Sequence, residues 1–215
     1  MPHKDSRILT LEVGPLATCC YVLVGEDGSF AAVIDPGGDA SSIIDMLTRE
    51  KLDLEMILLT HSHYDHIGAV EELIDNYPST CLACHPVCGE RITDPIKNFS
   101  APIMGVGQRV RAPGRTIAND EVFIAAGVDL RAIHVPGHAP GHLVYHAPGL
   151  SALFAGDTIF AGSIGRTDLP QGDHKLLVCG LRELLGSLPA DTRIYPGHGH
   201  TTTVGDELKS NPFIA

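Results

Sequence analysis

The sequence has no apolar stretch that approaches the roughly 18 residues of a membrane-spanning helix. Residues 1–5 also lack the apolar core of a secretory signal peptide. We therefore predict a cytoplasmic protein with no membrane partner. The six cysteines fit that compartment as reduced thiols.

Basic residues are few as well. The chain has 15 lysines and arginines against 26 aspartates and glutamates, which gives a formal net charge of −11. A protein whose main ligand is a nucleic acid normally needs a broad basic face, so the composition argues against that class. Bound divalent cations would offset part of the negative charge, although a solvated acidic surface is the commoner cause of such a balance.

The 215 residues are enough for one sizeable hydrophobic core. Each half of the chain follows the same plan of strands, then a helix, then a strand that ends in a turn rich in potential metal ligands. Two such halves would bury their strands if the sheets packed face to face with the helices outside. We predict one domain over residues 1–215.

Hydrophobic periodicity and turn residues predict the individual elements. Strands are predicted over residues 8–13, 20–24, 30–34, 56–59, 80–84, 128–135, 143–146, 151–155 and 193–195. Helices are predicted from Asp39 or Ser41, either of which can cap the N-terminus, to Glu50, over residues 69–76 and over residues 175–188, where Leu176 is among the leucines expected to face inward. Residues 94–120 are predicted to be mostly loop, with a short strand near residues 108–110.

A turn rich in histidine follows the predicted strand over residues 56–59. It contains His61, His63, Asp65 and His66, four potential metal ligands within six residues. Successive side chains alternate in an extended chain, so His61 and His63 leave the strand end on the same side and can share one ion. Asp65 and His66 are then expected in the bend. A solvated polar turn is the usual explanation for a single histidine, but not for this combination.

Three further potential ligands follow strands in the second half of the chain, namely His138, Asp157 and His198. Strand ends of one layered sheet system lie on a common edge, so we expect all seven side chains to converge. Seven ligands are too many for one tetrahedral zinc with an open position, but they suit two ions if one carboxylate bridges them. His142 is a candidate for a residue that contacts a ligand, without binding the metal itself, and fixes its orientation.

The cysteines offer a different site. Cys81, Cys84 and Cys88 have part of the spacing of a structural zinc site, and His85 lies among them. The second Cys-x-x-Cys pair is missing, and strand alternation would put Cys81 and Cys84 on opposite faces. Buried thiols without a metal are the preferred interpretation.

The ligand motifs together resemble a known family. His61-x-His63-x-Asp65-His66, Pro136-Gly137-His138, Gly156-Asp157 and Gly197-His198, in this order, resemble the metallo-β-lactamase superfamily. The resemblance implies an α+β fold, the four-layer αββα sandwich. Within the superfamily, residues 154–158, 162–168 and 211–213 resemble the single-domain relatives of glyoxalase II, the hydroxyacylglutathione hydrolases.

The resemblance also implies residue roles. His61, His63 and His138 would hold one divalent ion, and Asp65, His66 and His198 would hold a second, with Asp157 bridging both. Zinc is the expected metal, with iron or manganese as alternatives. The implied activity is hydrolysis of a small-molecule thioester such as S-lactoylglutathione by a metal-bound hydroxide, which Asp65 would hold in line.

Substrate recognition departs from the glyoxalase II pattern. A lysine and two tyrosines that grip glutathione in those enzymes are replaced here by Arg166, Asp168 and His200. Arg166 can still bind a carboxylate through its planar fork, whereas Asp168 repels one. We expect Arg166 and His200 to contact the substrate, and glutathione to be recognised weakly.

Four alternative functions remain at this stage. An iron-dependent persulfide dioxygenase of the same superfamily shares the Gly-Arg-Thr-Asp stretch of residues 165–168. The β-lactamases proper are disfavoured because they carry a cysteine where Asp157 stands, and a nuclease is disfavoured by the acidic charge. A non-catalytic metal-binding module is expected to have lost a ligand, and none is missing.

Overall fold

The computed structural model describes residues 6–215. The first five residues, on which the prediction about a secretory signal rests, lie outside that range. None of the helices in the described range has the length and apolar character that a membrane crossing requires.

Two six-stranded sheets form the centre of the molecule, and their strands are neighbours in the order that follows. The first sheet contains β1 (Arg7–Val13), β2 (Thr18–Val24), β3 (Phe30–Ile34), β4 (Asp53–Leu58), β5 (Cys81–Cys84) and β6 (Arg115–Thr116). The second sheet, read from the opposite edge, contains β7 (Val122–Ala125), β8 (Val128–His134), β9 (Leu143–Ala147), β10 (Ala152–Gly156), β13 (Arg193–Pro196) and β14 (Thr202–Thr203). A separate hairpin is formed by β11 (Ile159–Phe160) and β12 (Ser163–Ile164).

Helices cover the outer face of each sheet. The helices of the described range are α1 (Ala40–Glu50), α2 (Tyr64–Ile67), α3 (Val70–Asn76), α4 (Pro86–Ile92), α5 (Ser100–Met104), α6 (His174–Ser187) and α7 (Val204–Ser210), with a 3₁₀ turn at Pro148–Leu150. One apolar cluster lies between the first sheet and α1, α3 and α4, a second lies between the sheets, and a third lies between the second sheet and α6 and α7. The predicted four-layer αββα sandwich is confirmed.

The strand directions bring several strand ends to one edge. In the first sheet β3 runs parallel to β4, so Ile34 and Leu58 end side by side. In the second sheet β10 runs parallel to β13, and β8 has the same direction because both β8 and β10 are antiparallel to β9. The sheets meet at this edge, where the Cys19 amide donates to the Gly197 carbonyl over 2.7 Å.

Three local predictions need correction. Leu176 is 47% exposed, because the buried stripe of α6 runs through Leu177, Leu181, Leu184 and Leu185. Asp39 occupies the N-cap position of α1 without a side-chain cap, since its carboxylate accepts a hydrogen bond from the Gly14 amide instead.

Residues 108–110 are not a strand. The Gln108 carbonyl accepts from Asn98 Nδ2 over 2.9 Å, and the Val110 amide donates to the Ile92 carbonyl. These contacts tie the segment to its own loop rather than to a sheet. The loop also contains α5, which the sequence did not predict.

Candidate metal centre

Four of the predicted ligands lie between the end of β4 and the end of α2. His61 and His63 precede the helix, and His63 is its N-cap residue with an extended backbone. Asp65 and His66 lie within α2, a single helical turn rather than an irregular bend. All four side chains are directed into one region because the chain changes from extended to helical conformation between them.

The structure brings His138 to the first two histidines. Ligand nitrogens of His61, His63 and His138 all lie within 4.8 Å of one another, and His63 Nδ1 is 3.0 Å from His138 Nε2. Burial, followed by the influence of the neighbouring His138, lowers the pKa of His63 to about 3. Burial is also the largest cause that lowers the pKa values of His61 and His138. Neutral imidazoles of this kind have a lone pair available for a metal.

A second group contains Asp65, His66 and His198. His198 Nε2 lies 3.2 Å from Asp65 Oδ2, and His66 Nε2 lies 3.6 Å from the same oxygen. Burial alone would lower the pKa of His66, but the three carboxylates around it raise that pKa above its usual value. The negative charge of this group therefore favours a cation, and a divalent metal ion would meet that preference.

Asp157 lies between the two groups. Its Oδ1 is 3.4 Å from His66 Nε2, and its Oδ2 is 3.6 Å from both His138 Nε2 and His198 Nε2. Burial would raise the pKa of this carboxyl, but the surrounding histidines hold it well below its usual range. The carboxylate is therefore ionised and in contact with both groups.

The donor atoms fit divalent metal ions. His61 Nε2, His66 Nε2 and Asp157 Oδ1 are buried and have no hydrogen-bond partner. An unsatisfied buried polar group costs about 1–3 kcal/mol, so three such atoms among the predicted ligands are consistent with a bound cation that would complete the site. Imidazole nitrogen and carboxylate oxygen are donors that zinc and neighbouring divalent metals accept.

Two supporting residues were missed in the sequence. Asp35 follows β3, and its Oδ2 lies 3.0 Å from His66 Nδ1 and accepts a hydrogen bond from Thr60 Oγ1 over 2.6 Å. Thr60 Oγ1 in turn lies 3.0 Å from His61 Nδ1. Asp35 thus orients a ligand of each group, directly in the case of His66 and through Thr60 in the case of His61, and His66 Nε2 is left facing Asp65 and Asp157. The only sequence signal was an aspartate at a strand end, which also fits an ordinary turn.

Three of the other ligands are also supported by a backbone or ring contact. His138 Nδ1 lies 2.9 Å from the Arg166 carbonyl oxygen, and His198 Nδ1 lies 3.1 Å from the Leu16 carbonyl oxygen. The Asp157 amide donates to His142 Nε2 over 3.2 Å, and the His142 ring stacks on His61 with centroids 4.7 Å apart. Such contacts fix the ring orientation of metal-binding histidines.

Of the two predicted substrate contacts, the structure places Arg166 beside the ligands but not His200. A cavity of about 370 Å³ is lined by His63, Asp65, Asp157 and Arg166, among others. The Arg166 guanidinium forms two hydrogen bonds of 2.8 Å with Asp168, and both side chains are largely exposed. His200 is exposed and is not among the described residues that line the cavity.

The cysteine motif lies apart from this site. Cys84 and Cys88 are buried in the cluster between the first sheet and its helices, and Cys81 is half-buried. None of the three belongs to a group of potential metal ligands among residues 6–215. All six cysteines are free thiols.

Comparison with known proteins identifies a family that the chain matches. A family model described as the metallo-β-lactamase superfamily matches residues 13–198. A curated relative, hydroxyacylglutathione hydrolase GloC of Haemophilus influenzae, is 34% identical over 196 residues, covering 89% of this chain and 91% of the relative.

Solved structures are similar over nearly the whole chain. The B3 metallo-β-lactamase BLEG-1 has a TM-score of 0.92 and 37% identity, covering 97% of this chain and 99% of its own. A second structure, TTHA1623 in a di-iron-bound form, has a TM-score of 0.84 and 33% identity, covering 96% of this chain and 100% of its own.

Proposed function

The chain belongs to the metallo-β-lactamase superfamily, and we propose that this metallo-hydrolase cleaves a small thioester of the hydroxyacylglutathione type. The observation that carries the proposal is the position of Asp157. One carboxylate contacts the histidines of two ligand groups, and His61 Nε2, His66 Nε2 and Asp157 Oδ1 are buried without a hydrogen bond. This arrangement supports two ions sharing one carboxylate.

The ligand assignment follows from these groups. His61, His63 and His138 would hold one ion, Asp65, His66 and His198 the other, and Asp157 both. When bound, such ions lower the pKa of a water molecule toward about 7 and stabilise negative charge on a carbonyl oxygen.

The chain's own residues contribute orientation and charge. Asp65 lines the cavity, and its pKa is lowered because the effects of His66 and His198 exceed the effect of burial. It is therefore a carboxylate at neutral pH that can accept a hydrogen bond from the attacking water and hold it in line. The leaving thiol needs little protonation, since thiol pKa values are near 8.5.

Recognition would depend on Arg166. This side chain lines the metal cavity, and a substrate carboxylate would compete with Asp168 for its guanidinium. GloC, the relative from Haemophilus influenzae, is named as a hydroxyacylglutathione hydrolase, which supports a thioester of that kind. The altered contacts at Arg166, Asp168 and His200 favour weaker binding of glutathione conjugates and leave room for other small thioesters.

The proposal is tested by metal analysis of protein purified without added metal, paired with hydrolysis of S-lactoylglutathione and of a shorter thioester. We expect about two ions per chain and hydrolysis of at least one thioester that is lost after chelation and restored by metal. Metal-loaded protein that hydrolyses neither thioester would contradict the proposal. Iron is measured with zinc, because the similar protein TTHA1623 was solved with two irons.

β-Lactam hydrolysis is a second candidate. The similar structure BLEG-1 is named as a B3 metallo-β-lactamase, whereas the sequence disfavours the β-lactamases proper because Asp157 stands in place of their cysteine. The same metal-loaded protein is assayed with a chromogenic cephalosporin. A kcat/KM for the cephalosporin above that for every thioester would transfer the function to β-lactams.

A persulfide dioxygenase is the third candidate because of the Gly-Arg-Thr-Asp stretch at residues 165–168. Oxygen consumption with glutathione persulfide distinguishes it from both hydrolases. Robust uptake by the iron-loaded protein, without thioester hydrolysis, would favour the dioxygenase.

A further inference from the structure

An apolar groove adjoins the metal cavity. It has a volume of about 430 Å³, and its apolar lining consists of Ile96, Phe99, Pro102, Ile103, Leu169 and Pro170. Three of these residues, Phe99, Ile103 and Leu169, also line the metal cavity. The groove is therefore continuous with the site at which the proposed reaction takes place.

The walls of the groove expose apolar surface that a globular protein normally covers. Ile96 is 69% exposed and Ile103 is 54% exposed. Isolated exposed side chains of this size need no explanation, but an apolar group beside a polar centre is typical of a ligand pocket. The ring of Phe99 packs on His63 with centroids 5.1 Å apart, so the apolar surface begins at the first group of ligands.

The groove is held in place by Arg91, which is 6% exposed. Its Nε donates to Ser62 Oγ over 3.0 Å, its Nη2 donates to the Lys97 carbonyl over 2.6 Å, and its Nη1 donates to Gln171 Oε1. Ser62 belongs to the ligand turn, Lys97 to one wall and Gln171 to the other. One buried guanidinium thus connects both walls to the metal centre, which favours a groove that is formed before a ligand arrives.

We propose that this groove binds the acyl chain of the substrate, so that among thioesters of one thiol kcat/KM increases with the length of an unbranched acyl group. The inference rests on the proposed thioester hydrolysis. The acyl arm is assigned to the groove because Phe99 packs on His63, a member of the first ligand group, and an ion held by that group would stabilise the carbonyl oxygen of the thioester. The thiol arm then leaves past Leu16 and His198, which line the metal cavity but not the groove.

Chain length tests the groove directly. Acetyl, butyryl, hexanoyl and octanoyl thioesters of one thiol are compared by kcat/KM. Burial of a methylene contributes about 0.8 kcal/mol, so kcat/KM should rise about threefold to fourfold per added methylene until the groove is filled. A value that is independent of acyl length would overturn the inference.

Matched variants locate the effect. Ile96→Asp puts a charge into the groove and should flatten the chain-length dependence. Val106→Asp is the control, since Val106 is 72% exposed on the same segment and lines neither the groove nor the metal cavity among the described residues. An unchanged dependence in Ile96→Asp, or an equal loss in both variants, would contradict the assignment.

Binding without turnover separates this inference from the proposed function. Acetate, butyrate, hexanoate and octanoate are titrated into metal-loaded protein by calorimetry. Affinity should increase with chain length in the parent protein and not in Ile96→Asp. If affinity depends on chain length in this way but no thioester is hydrolysed, the groove assignment is supported and the proposed reaction is wrong. If thioesters are hydrolysed without any length dependence, the reaction stands and the groove assignment fails.

Two other occupants would also be detected. A series with a constant acyl group and increasingly long S-alkyl thiols should show no comparable increase in kcat/KM, and an increase confined to that series would assign the groove to the thiol arm.

Sedimentation velocity on the parent and Ile96→Asp tests self-association. A dimer that only Ile96→Asp disrupts, with chain-length preference unchanged, would make the groove a contact between copies of the chain.

Discussion

The buried carboxylate of Asp35 lies 3.0 Å from Nδ1 of His66, which leaves Nε2 of the same ring facing Asp65 and Asp157. Asp35 also accepts hydrogen bonds from the amide and the hydroxyl of Thr60. The contact joins the end of β3 to α2. It sets the orientation of a predicted metal ligand from a different part of the chain.

Replacing this carboxylate should weaken metal binding. Asp35→Asn keeps the size of the side chain but removes its charge, and loss of such a supporting contact typically costs 10–100-fold in metal affinity. The affinity is measured by competition with a chromogenic chelator. Asp45→Asn, an exposed position on α1, is the control and should keep the parent affinity. Equal affinities for the parent and Asp35→Asn would remove Asp35 from the supporting role.

Asp157→Ala should lose metal as well as rate. Two like-charged ions would no longer share an anion, so we expect the metal content to fall from about two ions per chain to one or fewer. Metal content is determined on the same sample that is assayed for thioester hydrolysis. If the variant retains two ions and normal turnover, the bridging assignment is wrong.

Gly197 should not tolerate a side chain. A Cβ atom at this position would lie 2.1 Å from Asp157 Oδ1 and 2.8 Å from His66 Cε1, so Gly197→Ala must displace the carboxylate. We expect a loss of metal and of activity. The matched control is Gly186→Ala in α6, where an added Cβ meets no heavy atom within 4 Å. Removal of a helical glycine there should stabilise the protein by up to about 1 kcal/mol. Thermal unfolding and metal content measure both effects, and full metal content in Gly197→Ala would contradict the geometry.

Arg166→Ala should raise KM more than it lowers kcat. If the guanidinium holds a substrate carboxylate in the ground state and in the transition state alike, KM should rise about tenfold, as for a charged hydrogen bond. Stability should change little, because the ion pair with Asp168 is exposed. Asp168→Asn should lower KM, since it releases the guanidinium from its partner.

The opposite pattern would give Arg166 a structural role. The backbone carbonyl of Arg166 contacts His138 Nδ1, so a disturbed loop would act on a ligand. A lower kcat or lower metal content in Arg166→Ala, with KM unchanged, would show that the side chain braces its loop and does not contact the substrate.

Most regular elements of the sandwich could be predicted, because their apolar periodicity is strong. The strand over residues 30–34 and the helix ending at Glu50 have the predicted bounds. The elements that were missed are short or have mixed composition, such as α4, α5 and β7. Their conformation depends on contacts with distant segments, for example the donation from Arg91 in α4 to Ser62 in the ligand turn.

The seven ligands could be predicted from the sequence for a similar reason. His61, His63, Asp65 and His66 are adjacent in sequence, and His138, Asp157 and His198 each follow a strand. Parallel strands end at the same edge of a sheet, so convergence could be expected before any distance was known. Their assignment to two ions remains a prediction.

The sequence by itself thus determined the layered fold and the donor types, because periodicity and metal chemistry are properties of the residues and their spacing. Only the tertiary structure decided which residues support the ligands through hydrogen bonds and which residues line the cavity and the groove beside it. Asp35 supports His66 because β3 lies parallel to β4, and the apolar groove exists because residues 96–103 pack beside residues 169–171. These contacts join segments far apart in the chain, and no local pattern encodes which of them will meet.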